Sequence, residues 1–337
     1  MLRKRRPRYS GKNPRRFEEK YKEHQPERYQ ETLAKVIASG KTPVGMHRPI
    51  MVQEILEILS PQPGETAVDC TLGYGGHAQE ILARLQPNGR LLGMDVDSIE
   101  LNKTETRLRK LGFNEGNFVI FHINFAGITK ALAKLQWHKA DIILADLGVS
   151  SMQLDNPSRG FSVKLEGPLD MRMNPQKGQP ASIFLEKITS DSLKTLLIEN
   201  ADEPNAEILA SALAGKTFFT TSTLVKAIHN TLPRLESQEK DQTVRRVFQA
   251  LRIAVNGEFS ALEAFLRQLP FCLNPEGRVA ILTFHSGEDR RVKKTFKEGL
   301  QQGIYREIAQ DVIRPNAEEC HSNPRATSAK LRWAILN

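Results

Sequence analysis

The sequence predicts an α/β protein with a mostly parallel, doubly wound sheet and a helical domain inserted after the fourth strand. Three observations carry this prediction. Short apolar runs alternate with amphipathic stretches between residues 66 and 146. The alternation stops at residue 147 and resumes with a long amphipathic segment at 243–269. A glycine turn, Gly73 to Gly76, sits where the first strand meets a helix, and Asp95 closes the second strand.

IMVQEILEIL (50–59) has helical spacing and ends at Pro61 to Gly64. TAVDC (66–70) reads as a strand, and HAQEILARL (77–85) as the helix after the glycine turn. RLLGMD (90–95) is a second strand after the Asn88-Gly89 turn, and SIELNKTETRLRKLG is a helix ending at Gly112. NFVIFH (117–122) and DIILAD (141–146) are further strands, with a helix around 126–136 between them. Residues 181–240 read as several short helices. One continuous helix is expected over 243–269, then a Pro275-Glu276-Gly277 turn, a strand at 278–284 and a last strand at 331–336. The expected domains are a basic arm (1–44), a sheet domain (45–155 with 243–337) and an inserted loop and helical unit for substrate recognition (156–242).

Composition narrows the function classes. The 337 residues are 39% hydrophobic, enough for a packed core. No apolar run approaches the roughly 20 residues of a membrane span, and no apolar segment follows the basic N-terminus, so neither a membrane protein nor a secretory signal is expected. Cys70, Cys272 and Cys320 are far apart and form no CxxC pair, so no disulfide framework and no metal site are expected. A cytoplasmic location follows as the simplest expectation. Residues 1–16 hold eight Lys and Arg and no acid, which is +8 of the formal +9. Such a stretch is expected to be a disordered arm with a reach of about 55 Å. Its composition favours a nucleic-acid tether over a solubilising tail. Residues 17–44 are expected to include a short helix ending at Gly40.

The chemical signal begins at Asp69-Cys70-Thr71-Leu72-Gly73-Tyr74-Gly75-Gly76-His77. Glycines allow close backbone approach and positive φ. A carboxylate at the end of the second strand accepts bonds from ribose hydroxyls. Two nucleoside cofactors suit this arrangement. Gly73, Gly75 and Ala78 fit the GxGxxA of a dinucleotide site, but Asp69 ahead of the turn would repel a pyrophosphate and attract the cationic S-adenosyl-L-methionine. A βα turn needing glycine only for its geometry is the plain reading. Asp146 ends the fourth strand on the same edge. The loop beyond it holds Arg159-Gly160-Phe161 and Gly167-Pro168-Leu169-Asp170-Met171-Arg172-Met173, too apolar for disorder and long enough to suggest function. Arg159, Asp170 and Arg172 are candidates to hold an RNA phosphate or a base there, with Asp–Arg pairing that merely pins the loop as the alternative.

Eight segments then identify a resemblance: MHRP (46–49), the Asp69–His77 loop, DLGVSSMQLD (146–155), RGF (159–161), GPLDMRM (167–173), FQALRIAVN (248–256), FHSGEDRRVK (284–293) and NPRATSAKLR (323–332). In this order they closely resemble the RsmH/MraW family of 16S ribosomal RNA cytosine-N4 methyltransferases, over about residues 46–337. The resemblance implies a class I, Rossmann-like S-adenosyl-L-methionine-dependent methyltransferase fold with an inserted helical domain. It implies N4-methylation of a cytosine in the decoding region of small-subunit RNA, cytosine 1402 in the family. It places cofactor contacts on Gly75, Gly76, His77, Asp95, Phe125, Asp146 and Gln153. From the residues alone Phe125 reads only as a core aromatic. The chain departs from the family's usual pattern at Gly287, at Asn200-Ala201-Asp202-Glu203 and at Phe259, and the basic arm reads as an addition.

A cytosine amine needs alignment behind the methyl–sulfur bond and an acceptor for its proton. Asp146 is the candidate acceptor and Asp170 the alternative. The base must be unpaired or flipped out. Phe161 is a candidate stacking partner, with a place in the core as the alternative, and His285, Arg290 and Arg325 are candidate RNA contacts. The partner expected is small-subunit ribosomal RNA or the assembling 30S particle, and a homodimer is compatible with the sequence. The other classes are a divergent paralogue acting on another RNA, a non-catalytic ribosome-assembly factor that binds RNA, and an NAD(P)-dependent oxidoreductase.

Overall fold

The computed structural model describes residues 49–337. The basic arm, the helix expected to end at Gly40, and Met46, His47 and Arg48 of the first motif lie outside the described residues.

The strands are β1 (Thr66–Asp69), β2 (Arg90–Asp95), β3 (Phe118–His122), β4 (Ala140–Asp146), β5 (Leu273–Thr283), β6 (Tyr305–Ile308) and β7 (Lys330–Leu336). They form one sheet in the order β3-β2-β1-β4-β5-β7-β6. β1 to β5 run parallel, and β7 is antiparallel to both β5 and β6. This is the class I methyltransferase topology.

Alternate residues of the central strands feed two cores, because helices cover both faces of a parallel sheet. Ala67, Leu91, Leu144 and Leu282 pack with α1 (Val52–Leu59), α2 (Gly76–Leu85) and α3 (Ser98–Lys110). Val68, Leu92, Ile143 and Ile281 pack on the other face with α4 (Ile128–Lys134) and its neighbours. Each fully buried large apolar side chain contributes roughly 1.5–3 kcal/mol.

Between β4 and β5 lie α5 (Ser151–Asp155), α6 (Ala181–Lys187), α7 (Ser190–Ala201), α8 (Ala206–Leu213), α9 (Thr221–Thr231), α10 (Ser237–Asn256) and α11 (Glu258–Cys272). After β5 come α12 (Ser286–Gln301) and α13 (Ala317–Ser322). A third core joins Phe161, Leu169 and Met171 to α6–α10, including Val244, Val247, Phe248 and Leu251. α10, expected in the sheet domain from residue 243, therefore packs its apolar face on the inserted helices.

The expected single helix over 243–269 breaks at Gly257, which takes φ 60°. The break is held by Asn256, whose side chain donates to the Met171 carbonyl and accepts from the Met173 amide. The expected turn at Pro275–Gly277 is a bulge within β5, where the register on β4 jumps from Leu273 to Arg278. β6 has no expected counterpart. With only four residues, buried at the two ends, it carries little alternation to read. No described helix is long and apolar enough to cross a membrane.

Candidate functional site

The chain winds outward from β1 in both directions, so the crevice lies above the carboxyl ends of β1 and β4, with β2 alongside. The loop after β1 continues the sheet's bonding: the Cys70 amide donates to Leu144 and the Leu72 amide to Met94. Gly75 caps α2 with φ 74°, and a Cβ there would meet Thr104 Cγ2 at 2.6 Å. A Cβ on Gly76 would meet Pro49 at 2.8 Å. Both glycines are required by close approach. The loop is also held from outside, by the Thr104 hydroxyl on the Gly73 carbonyl (2.5 Å) and Arg107 on the Tyr74 carbonyl (2.5 Å).

Three carboxylates and an imidazole line this edge. Asp95 accepts from the Gly73 amide at 2.7 Å and from the Asp97 amide at 2.8 Å. Asp69 is buried and accepts from the Thr71 amide. The Asp146 amide donates to the Thr71 hydroxyl at 2.6 Å, which fixes the end of β4. His77 Nε2 is buried, has no hydrogen-bond partner and stands 3.6 Å from Asp146 Oδ2.

Burial pushes the Asp69 carboxyl up to about 7, against the pull of His77 and the Thr71 amide and with the help of Asp146 and Asp95. Burial likewise raises Asp95 to about 6, against the Asp97, Gly73 and Val96 amides, with the Asp97 carboxylate adding. Such crowding of acids favours a cation and disfavours a pyrophosphate. The donor set fits S-adenosyl-L-methionine: Asp95 retains lone pairs for ribose hydroxyls, and the acids suit the sulfonium and ammonium charges. A dinucleotide does not fit.

The other expected residues are placed as follows. Phe125 follows β3, capped by Asn124, and meets the Phe265 ring edge-on at 5.3 Å. Gln153 is buried in α5: its Oε1 accepts from the Ser150 amide and its Nε2 donates to Asp97 at 2.8 Å. Ser150 and Gln153 form a capping box, a helix signal present in the sequence but unread.

Two expectations are corrected. Arg159 is only 8% exposed and donates to Asp97 Oδ2 at 2.7 Å, so no RNA phosphate reaches it. Phe161 is 6% exposed within the third core, so it offers no face for base stacking. Arg172 forms a two-pronged pair with Asp170, the pinning alternative. Burial works to raise Asp170, but the Arg172 bonds outweigh it and hold the carboxyl below its ordinary range. That makes Asp170 a poor proton acceptor. Arg290 pairs with Asp202, and Arg325 with Asp155, both partly open to solvent.

His285 lies beyond β5, its Nδ1 accepting from the Glu288 amide at 3.4 Å and its Nε2 3.1 Å from Glu288 Oε1. Glu258 joins this pair to make the one cluster with metal-ligand spacing among the described residues. Arg252 occupies both Glu258 oxygens at 2.9 Å, so the cluster already holds its cation. Sequence reasoning missed Asp97, Thr104, Arg107 and the Arg252–Glu258 pair. Only Asp97 carried a signal, as an acid directly ahead of a helix.

The sequence pattern that defines the MraW methylase family matches residues 45–336. The chain belongs to the MraW methylase family. Among curated relatives, the "Ribosomal RNA small subunit methyltransferase H 2" of Alkaliphilus metalliredigens is 51% identical, over 99% of this chain and 97% of its own length. The "methyltransferase H 1" of Lachnoclostridium phytofermentans is 50% identical, over 98% of this chain and 93% of its own. The "methyltransferase H" of Dictyoglomus turgidum is 38% identical over 85% of this chain and 96% of its own. An rRNA methylase structure from Streptococcus thermophilus matches at TM-score 0.39 and 14% identity, covering 88% of this chain and 97% of that one.

The basic arm, read above as an addition, is therefore spanned by these two relatives, though the family pattern begins only at residue 45. As a MraW methylase the chain uses S-adenosyl-L-methionine, and the oxidoreductase reading is set aside.

Proposed function

We propose that this MraW methylase transfers a methyl group to N4 of a cytosine in the decoding region of small-subunit ribosomal RNA. The observation that carries the reading is about 50% identity, over nearly the whole of both chains, to proteins named small-subunit ribosomal RNA methyltransferase H. The acidic pocket at the sheet's switch point supports it.

When bound, S-adenosyl-L-methionine supplies an electrophilic sulfonium methyl. Asp95 would hold the ribose, Gly75 and Gly76 would let the turn pack closely enough to shape the crevice, Phe125 would border the nucleoside, and Gln153 would act from beneath it through Asp97. With the N4 amine of a cytosine aligned behind that methyl, the Asp146 carboxylate would accept the proton that N4 loses. Asp146 is suited to this by its place at the end of β4 and by the Thr71 hydroxyl that fixes its backbone. A target base flips out of its stack to reach this depth. Loop 156–180 and the inserted helices form the RNA-receiving side, with Arg172, His285, Arg290 and Arg325 as its candidate polar contacts and the assembling small subunit as the partner.

The test is mass-spectrometric mapping of methylated cytidines in ribosomal RNA from cells with and without this protein. Loss of one N4-methylcytidine in the decoding region is the expected result. An unchanged map rejects the reading.

A further inference from the structure

Asp97 is 1% exposed and lies two residues beyond the ribose-gripping Asp95. Its amide donates to Asp95 Oδ1 at 2.8 Å. Its own Oδ1 caps α3 through the Ile99 amide. Its Oδ2 accepts from Gln153 Nε2 at 2.8 Å and from Arg159 Nη1 at 2.7 Å. The other arm of the Arg159 guanidinium donates to the carbonyls of Arg172 (3.1 Å) and Met173 (2.8 Å). Met171 donates back to the Arg159 carbonyl, and Met173 to Asn256 at the end of α10. One buried ion pair thus stands between the cofactor edge and the whole GPLDMRM loop.

We propose that Asp97 and Arg159 are positioning residues that carry cofactor occupancy into loop 156–180, so that the RNA-receiving loop is held more tightly when the methyl donor is bound. The inference rests on reading that loop as the RNA side. Ribose bound on Asp95 fixes the 95–97 turn, and a nucleoside against Gln153 fixes the second donor to Asp97. Both restrain the carboxylate on which Arg159 is forked. A guanidinium that spans a carboxylate and two carbonyls transmits that restraint because its donors are rigidly coplanar. Neither residue touches the reacting atoms.

The test is backbone hydrogen exchange on the full chain, with and without saturating S-adenosylhomocysteine, in wild type, Asp97→Asn and Arg159→Gln. Asn keeps the helix cap, and Arg159→Gln leaves the cap untouched, so one variant serves if the other misfolds. In wild type the ligand should slow exchange at the Met171, Arg172 and Met173 amides by about fivefold or more, the low end of typical site coupling. In either variant the Gly73 and Asp97 amides should still be protected at saturation while the slowing at 171–173 is lost. Equal transmission in the variants, or no ligand effect on these amides in wild type, overturns the proposal. No RNA is present, so a wrong RNA assignment and a failed coupling give separate results.

Discussion

The Gly73 amide donates to Asp95 Oδ2 at 2.7 Å, tying the glycine turn after β1 to the end of β2. The bond makes one carboxylate serve two purposes. It closes the loop's geometry, and each of its oxygens keeps a lone pair beyond the one amide it accepts.

Asp95→Ala should therefore lose both the loop's anchor and the ribose contact. Hydrogen bonds to a charged acceptor are worth about 1.5–3 kcal/mol, which is roughly a 10- to 150-fold loss of affinity. Titration calorimetry with S-adenosylhomocysteine measures it. Unchanged affinity would remove Asp95 from the site.

Cofactor affinity should rise with pH. In the empty protein Asp69 and Asp95 hold protons up to about 7 and about 6, because burial disfavours their charged forms. A cationic ligand favours the ionised acids, so binding expels protons and tightens between pH 5 and 8. Calorimetry in buffers of different ionisation enthalpy should register proton release near pH 6. Proton uptake on binding would contradict it.

The same acids work against stability. Their folded pKa values lie above the ordinary 3.8, so the native state holds protons that the unfolded chain has already lost. Stability contributed by these groups falls as pH rises from about 4 through about 7. Asp69→Asn should raise the melting temperature at pH 8 and change it little at pH 4. The upper bound is on the order of 4 kcal/mol for the three-unit displacement of this buried group. A variant less stable at pH 8 than wild type would show that Asp69 is held ionised by a stronger partner.

Glu258→Gln should destabilise the protein by about 1.5–3 kcal/mol, the worth of hydrogen bonds to a charged group, because Arg252 loses one carboxylate but keeps Glu288 beside it. Arg252 and Glu258 meet through two bonds of 2.9 Å at the α10–α11 break, with side chains 15% and 10% exposed. Chemical denaturation measures the change, and an effect below about 1 kcal/mol would mark the pair as a surface-like one.

Deleting residues 1–16 removes eight cations. RNA affinity should fall, and its dependence on salt should flatten by a slope of at most about 6 on single strands. An identical slope in the shortened chain would exclude the arm as an RNA tether.

The sheet's first half was legible because each strand is a short apolar run, three of the four closed by an acid as in RLLGMD and DIILAD, and separated from the next by a helix-period stretch. The second half was less so. Gly257 within an amphipathic stretch looked tolerable in a helix, and its φ of 60° depends on Asn256 reaching a loop 83 and 85 residues away. The β5 bulge depends on pairing with β4, which no local pattern reveals. Gly75, Gly76 and Asp95 stood out in the sequence because a glycine turn and a strand-ending acid act through backbone geometry and strand position. Arg159 was read as an RNA contact because an arginine in a loop looks exposed, and nothing local decided between stacking and core for Phe161. Their burial follows from Asp97 and the third core, both set by tertiary packing.

The most direct test mixes the purified protein with methyl-labelled S-adenosyl-L-methionine and small-subunit RNA or particles, then digests the RNA to nucleosides. The account predicts label in N4-methylcytidine from a single decoding-region site, and none with Asp146→Asn. Label in another nucleoside, or undiminished transfer by Asp146→Asn, would contradict it.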